Sequence, residues 1–296
     1  MGPTSALTAG VIGLGDIGRG VADCAVRAGL DVVVCDVRPE ATEPFAQTAH
    51  VAVDPADLGG RCDVLLVAVV NDAQVLKVVD PDEGALATAR PASTVVVLST
   101  VAPETVERVG AWAAPRQVGV LDCGVSGGPE AAATGSLVAM VGGDVTVVDR
   151  ARPVLDAFSG SVVHVGPLGA GLRAKLARNL VQYGSWLAAY EAQVLAEAAG
   201  IELAKLAEVI RESDKKIGGA SRLMFRTTVA PFTDEDHPAI VNAMQAGAAL
   251  AHKDLRAALD LGRRLGVPLP LATMVERRAD AVFGLEPDPW SSGDAS

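Results

Sequence analysis

The chain has 296 residues, enough for two domains that each bury a core of their own. Half of the residues are hydrophobic yet only 3% are aromatic, a balance of Ala, Val, Leu and Gly that suits buried parallel strands and closely packed helices and excludes a disordered chain. The formal charge of -11 opposes nucleic acid and anionic membranes as partners, because both recruit basic surfaces.

The first ten residues, MGPTSALTAG, carry no Lys or Arg, so they lack the basic start of a signal or transit peptide. No apolar run approaches the ~18 residues that span a bilayer, and a cytoplasmic location is expected. Over residues 7–165, short Val-rich runs alternate with Ala-rich stretches of helical length, the pattern of strand and crossover helix repeated. Strands are predicted near 8–13, 31–36, 63–70, 94–99, 118–122, 136–141 and 161–165, giving an α/β fold with a mostly parallel sheet in a domain over 1–166. After Gly166 and Pro167 the Val-rich strands stop, and helix-forming sequence such as 179–200 and 239–265 follows. An all-helical domain is predicted over 167–296, interrupted at Gly218 and Gly219, at Pro231, and at Gly266, Pro268 and Pro270, with a polar, disordered tail over 286–296. Cys24, Cys35, Cys62 and Cys123 lie far apart without a C-x-x-C pair and read as reduced core residues. His50, His164, His237 and His252 show no paired ligand spacing, so no metal is expected.

Gly13, Gly15 and Gly18 form G-x-G-x-x-G directly after an apolar strand and at the start of an Ala-containing helix. The first glycine allows the tight turn, the second lets backbone approach a pyrophosphate, and the third lets helix pack on strand, while the helix N-terminus supplies amides and positive dipole. The next strand ends in Asp36, 23 positions after Gly13, close to the spacing of a ribose-binding carboxylate. These features together predict dinucleotide binding. A carboxylate there accepts from both ribose hydroxyls of NAD and repels the 2′-phosphate of NADP, which favours NAD; Arg38, two residues on, either pairs with a phosphate, so that NADP stays open, or is solvated.

Gly171, Lys175 and Asn179 are spaced i, i+4, i+8 and share one face of the first helix of the second half. They offer a gap without a side chain, an amine able to lose its proton, and an amide that donates and accepts. A lysine becomes a general base when desolvation and a neighbouring cationic ring draw its pKa toward neutrality. Arg173 and Arg178 lie in the same segment, so periodicity alone leaves Lys175 as either a reacting group or part of a surface basic cluster.

Four blocks in order resemble the β-hydroxyacid dehydrogenases, the family of 3-hydroxyisobutyrate dehydrogenase and tartronate semialdehyde reductase. They are Gly13, Leu14, Gly15, Asp16, Ile17 and Gly18; Asp122, Cys123, Gly124, Val125, Ser126, Gly127 and Gly128; Gly169 through Lys175 to Asn179; and Lys253, Asp254 and Leu255. The resemblance implies a Rossmann domain followed by an all-α domain of the 6-phosphogluconate dehydrogenase-like type, which also serves oligomerisation. By the same resemblance the first block binds cofactor, Ser126, Gly127 and Gly128 hold a substrate carboxylate, Lys175 is catalytic, and Asn179 orients the substrate. Lys253 falls near the nicotinamide, and Val69, Val70, Gln74 and Thr100 fall at further cofactor contacts. The family loop commonly reads Asp-Ala-Pro-Val-Ser-Gly-Gly; Cys123 and Gly124 depart from it and are expected to loosen the turn.

The expected reaction is interconversion of a short 3-hydroxy acid and its semialdehyde or keto acid. The rivals are an NADPH-dependent imine reductase, which usually lacks the lysine, and a non-catalytic cofactor-binding module. Tyr183 and Trp186 continue the face of Lys175, with Trp186 expected in the core. Leu195, Ala199 and Leu203 form an apolar stripe larger than a small domain needs, which with the resemblance predicts a homodimer or homotetramer.

Overall fold

The computed structural model describes residues 7–288. The chain divides into two compact units, Met1–Arg178 and Asn179–Ser296. Of the predicted polar tail, positions 289–296 lie outside the described residues, as do the first six residues of the N-terminus.

The first unit alternates strand and helix: β1 (Thr8–Ile12), α1 (Asp16–Arg27), β2 (Asp31–Cys35), α2 (Pro39–Thr42), β3 (His50–Val51), α3 (Pro55–Arg61), β4 (Val64–Val67), α4 (Asp72–Val79), β5 (Thr94–Val97) and α5 (Pro103–Ala113). It continues with β6 (Gly119–Ser126), α6 (Gly128–Thr134), β7 (Leu137–Gly142), α7 (Val145–Phe158) and β8 (Ser159–Gly166), after which α8 (Ala170–Ala198) begins. The strands form one sheet in the order β3-β2-β1-β4-β5-β6-β7-β8. Every neighbouring pair is parallel except β6 and β7.

Both faces of this sheet are covered, which is why its strands read as unbroken apolar runs. Ala9, Val11, Val32, Val34, Val64, Leu66 and Val96 face a core built with Val21 and Ala25 of α1 and Val154, Leu155 and Phe158 of α7. The alternate residues Ile12, Val33, Leu65, Val67, Val95 and Val97 face Leu58 of α3, Val75 and Val79 of α4 and Val106 and Val109 of α5. Each fully buried Val or Leu contributes about 1.5–3 kcal/mol. Local side chains start several of the crossover helices: Asp54, Asn71 and Asp144 accept from the amides of Asp57, Gln74 and Thr146.

The order reverses direction between β1 and β4, so the crevice beyond the C-terminal ends of these strands is the switch point where such sheets bind ligands. Strand β6 extends four residues past the predicted end at 122, because its second half is paired with β7, from Asp122 opposite Gly142 to Ser126 opposite Val138. The extension carries Ser126 to the same edge as the fingerprint loop. Strand β3 was not expected; two residues are too few for any periodicity to register.

The second unit is helical: the remainder of α8, then α9 (Leu203–Ile217), α10 (Pro238–Leu265) and α11 (Pro270–Val282). Gly218 and Gly266, at φ +81° and +69°, end α9 and α10, and Pro238 and Pro270 open α10 and α11. Buried Glu191 accepts from the amides of Leu271 and Ala272 at the start of α11. His252 of α10 is held between Glu276 and Asp280 of α11, and Arg256 also reaches Glu276. Trp186 does not pack into a core: it is 60% exposed and meets Tyr183 of the same helix edge to face at 5.3 Å. Among the described residues no helix is long and apolar enough to cross a membrane.

Candidate active site

At the end of β1 the chain turns through Gly13, whose φ of +91° and approach to the Ala68 carbonyl leave no room for a side chain. A Cβ on Gly18 would lie within 1.9 Å of the Gly13 carbonyl oxygen, so α1 rests directly on the loop. Around Gly15, by contrast, the space is open, and no side chain caps α1. The open backbone and uncapped helix start, with Asp36 beyond them, fit a dinucleotide pyrophosphate and ribose.

Asp36 is nearly buried and fully engaged. One oxygen accepts from the Leu14 amide at 2.7 Å, the other from the Arg38 amide at 2.9 Å, and the Arg38 guanidinium spans both at 3.1 and 3.2 Å. Burial pushes this carboxyl up, but the bonds from the Arg38 side chain and the two amides outweigh it and hold the pKa below the ordinary carboxylate value. Arg38 is thus more than half exposed yet paired, and its charge offsets that of the carboxylate at the end of β2.

The ends of β4 and β5 form the middle of the cleft. Buried Ser99 accepts from the Val69 amide at 2.9 Å and donates to the Val69 carbonyl at 2.7 Å, pinning the loop that presents Val69 and Val70. Gln74 uses its side-chain carbonyl on the Val70 amide at 2.9 Å, so its role in this structure is to shape that loop. Thr100 follows at the end of β5.

Lys175 completes the constellation. A cleft of about 380 Å³ is lined by Gly15, Asp16 and Ile17, by Val69, Val70 and Thr100, and by Gly128 and Lys175. Burial draws the lysine pKa down from its ordinary value, and the positive charge of Arg178 lowers it further. Ser126 ends β6, and Gly127 and Gly128, at φ +134° and +71°, form the turn into α6. Asn179 stands one turn beyond Lys175 on α8. In the second unit Lys253 lies on α10, is largely exposed, and pairs with Asp254 at 3.2 Å.

The seat of α8 depends on residues whose roles the sequence reading did not assign. Gly124 does not loosen a turn: it is a paired residue of β6, and a Cβ there would fall 2.6 Å from the Lys175 Cβ and 2.9 Å from the Gly171 carbonyl oxygen. The missing side chain is the space that the lysine stem fills. Asp122, with no exposed surface, accepts from the Gly169 amide at 2.6 Å and the Leu172 amide at 2.7 Å. A charged residue inside an otherwise apolar strand is the signal that could have marked it.

Residues 8–166 match the family model of the NAD-binding domain of 6-phosphogluconate dehydrogenase, and residues 169–284 match the model described as NAD-binding of NADP-dependent 3-hydroxyisobutyrate dehydrogenase. An L-threonate dehydrogenase of Cupriavidus necator is 36% identical, covering 89% of this chain and 86% of that protein. A putative oxidoreductase of Mycobacterium avium superposes with a TM-score of 0.86 at 35% identity, over 94% of this chain and 99% of that one. A 3-hydroxyisobutyrate dehydrogenase of Mycobacterium tuberculosis, solved with L-serine, gives 0.66 at 30% identity over 95% and 96%. An imine reductase of Myxococcus stipitatus, at 19% identity, 0.73 and 92% of each chain, shares the fold. With its dinucleotide loop, its carboxylate at the end of β2 and both family models in sequence, the chain belongs to the β-hydroxyacid dehydrogenase family and is an NAD(P)-dependent dehydrogenase acting on CH–OH groups.

Proposed function

We propose that the chain oxidises a short 3-hydroxy acid to its semialdehyde or keto acid, with NAD as preferred cofactor and Lys175 as general acid and base. The observation that carries this reading is the place of Lys175 in the same cleft as the fingerprint loop and Gly128. Its lowered pKa enlarges the neutral fraction that a base requires. Relatives named for L-threonate and 3-hydroxyisobutyrate support a small hydroxy acid as the substrate class.

The substrate carboxylate rests on the Ser126 hydroxyl and the amides of Gly127 and Gly128, a concavity suited to an anion. Asn179 orients the hydroxyl, and Lys175 Nζ removes its proton; in the reverse direction the Lys175 ammonium returns a proton to the carbonyl oxygen. Bound nicotinamide supplies the hydride acceptor. Lys253 keeps the cofactor-side role that the family gives it. Residues 1–166 serve as the cofactor domain and 167–296 as the substrate and subunit-association half of a cytoplasmic homodimer or homotetramer. Exposed Leu180, Tyr183, Trp186, Leu187 and Tyr190 on α8 support that association.

The test follows reduced-nicotinamide absorbance while the protein is offered NAD with a panel of 3-hydroxy acids, then NADPH with cyclic imines. A hydroxy acid is expected to be oxidised, and Lys175→Met to lower that rate by roughly 10²–10⁴-fold while NAD still binds. An unchanged rate in Lys175→Met sinks the assignment. Turnover of imines alone points to the imine reductases, and cofactor binding without turnover to a binding module.

A further inference from the structure

The helices α3, α4 and α7 are capped by side chains of their own chain neighbourhood, two to three residues from the amide they serve. Helix α8 is held differently. The carboxylate on its first amides comes from strand β6, 47 and 50 residues away in sequence. Among the described residues Asp122 forms no ion pair, so a fully buried carboxylate is balanced by two backbone amides and the positive end of the helix. A local cap would satisfy the same amides without burying a charge in the sheet. The remote one does something further: it ties the helix to the strand.

The tie has a register. Asp122, Gly124 and Ser126 alternate along β6 and fall on one face. The first holds the Leu172 amide; the second receives the Cβ of Lys175, which is three residues further along α8 and on the same side of the helix. The third stands at the start of the Ser-Gly-Gly turn. Two further contacts lock the seat: a Cβ on Gly142 would fall 2.3 Å from one Asp122 oxygen, and a Cβ on Gly171 would fall 2.9 Å from the other. Rotation of α8 and its height on β6 are thus both determined by the same carboxylate.

We propose that Asp122 is a positioning residue for proton transfer, clamping α8 to β6 so that Lys175 is set at a fixed place in the cleft relative to Ser126. This rests on the reading of Lys175 as the acid and base. The lowered pKa of Lys175 comes from burial and from Arg178 on its own helix, with no contribution from the charge of Asp122; Asp16 lines the same cleft from α1, and β6 presents the uncharged Gly124 to the lysine stem. What Asp122 sets is the depth at which the lysine stem is packed, and hence its hydration.

The test uses the full-length protein and needs no substrate. Competitive acetylation with acetic anhydride across a pH series, read by peptide mass spectrometry, gives the titration midpoint of each lysine, with exposed Lys205 and Lys215 as internal references. In the unaltered protein the Lys175 midpoint is expected below those of the references. Asp122→Asn replaces one acceptor by a donor facing an amide, and is expected to raise the Lys175 midpoint toward the references, with the references unmoved and NADH still bound by fluorescence. A folded Asp122→Asn protein that binds NADH and keeps the original Lys175 midpoint overturns the proposal and leaves Asp122 a structural cap. Should that variant fail to fold, Asp122→Glu, which keeps both acceptors on a longer stem, reads the same displacement with the charge retained. Lys175→Met separates the two ideas: retained turnover there defeats the catalytic reading whatever Asp122 does, whereas lost turnover with an unmoved midpoint in Asp122→Asn defeats only the positioning.

Discussion

Gly171→Ala is the most direct probe of how α8 is seated. The added Cβ would lie 2.4 Å from the Met140 carbonyl oxygen, 2.7 Å from that of Asp122 and 2.9 Å from an Asp122 carboxylate oxygen. A carbon meets an oxygen comfortably at about 3.3–3.6 Å, so the helix must retreat by about 1 Å. Two of the three obstacles are sheet backbone paired between β6 and β7, and the third is the carboxylate that holds the helix; none is a flexible side-chain tip. Overpacking of this kind costs about 1–3 kcal/mol. At about 2–4 °C per kcal/mol for a chain of this size class, the melting temperature should fall by roughly 2–12 °C. Lys175 is carried by the same helix one turn further on, and a misplacement near 1 Å is worth on the order of 10²-fold in rate. The assay is kcat at saturating hydroxy acid and NAD beside the Kd for NADH, with thermal melting on the same sample. The expected result is a large loss of kcat with NADH binding kept, because the added Cβ meets β6 and β7 and not the fingerprint loop between β1 and α1. A Gly171→Ala protein with unchanged kcat and unchanged melting temperature would refute the described depth of α8 on β6.

Arg38→Ala removes the guanidinium that spans the Asp36 carboxylate and should increase discrimination against NADP. Because Arg38 is more than half exposed, the effect on the NAD to NADP ratio of kcat/KM is expected to be no more than about fivefold; equal losses with both cofactors would show that the pair has no selective role. The His252 ring faces Glu276 on one nitrogen and Asp280 on the other, an arrangement that only the protonated ring satisfies as donor on both sides. Donation to Asp280, opposed by burial and supported by donation to Glu276, raises its pKa. A raised folded value means that the stabilisation is fully present below the unfolded value of about 6.5 and is lost as pH rises through the folded value. Hydrogen bonding to Arg256 and His252 lowers the Glu276 pKa, so its own contribution disappears only on acidification. Melting curves of the unaltered protein and His252→Asn should therefore differ most near pH 5–6 and converge toward pH 9; a gap that widens with pH would contradict the assigned charge state.

The strands of the first unit could be located because burial on both faces removes polar residues from them, leaving Val-rich runs that need no periodicity to stand out. The fingerprint loop was equally plain, since the demands on Gly13, Gly15 and Gly18 are local to one turn. Features that depend on distant partners were not legible. Strand β6 runs on through Gly124, a poor strand former, because β7 pairs with it, and nothing within residues 119–126 announces that partner. Gly124 looks like a turn residue until α8 is laid across it. Asp122 was visible only as one letter of a family block, because its function is to hold amides 47 and 50 residues further on. Trp186 departs from expectation for the converse reason: a large aromatic on an apolar stripe is ordinarily covered, and among the described residues this one is left 60% exposed.

The four cysteines, all buried and unpaired, have a consequence for a protein whose chemistry yields carbonyl compounds. Aldehydes and ketones are electrophiles, and the group in a protein most ready to add to them is a thiolate. Here burial raises the thiol pKa at every cysteine, to about 11 for Cys35 and about 12 for Cys62, and further for Cys123 within the strand beneath the cleft. At pKa 11 the thiolate is roughly one part in ten thousand at neutral pH. Interior placement of sulfur thus keeps these four thiols inert toward a carbonyl product.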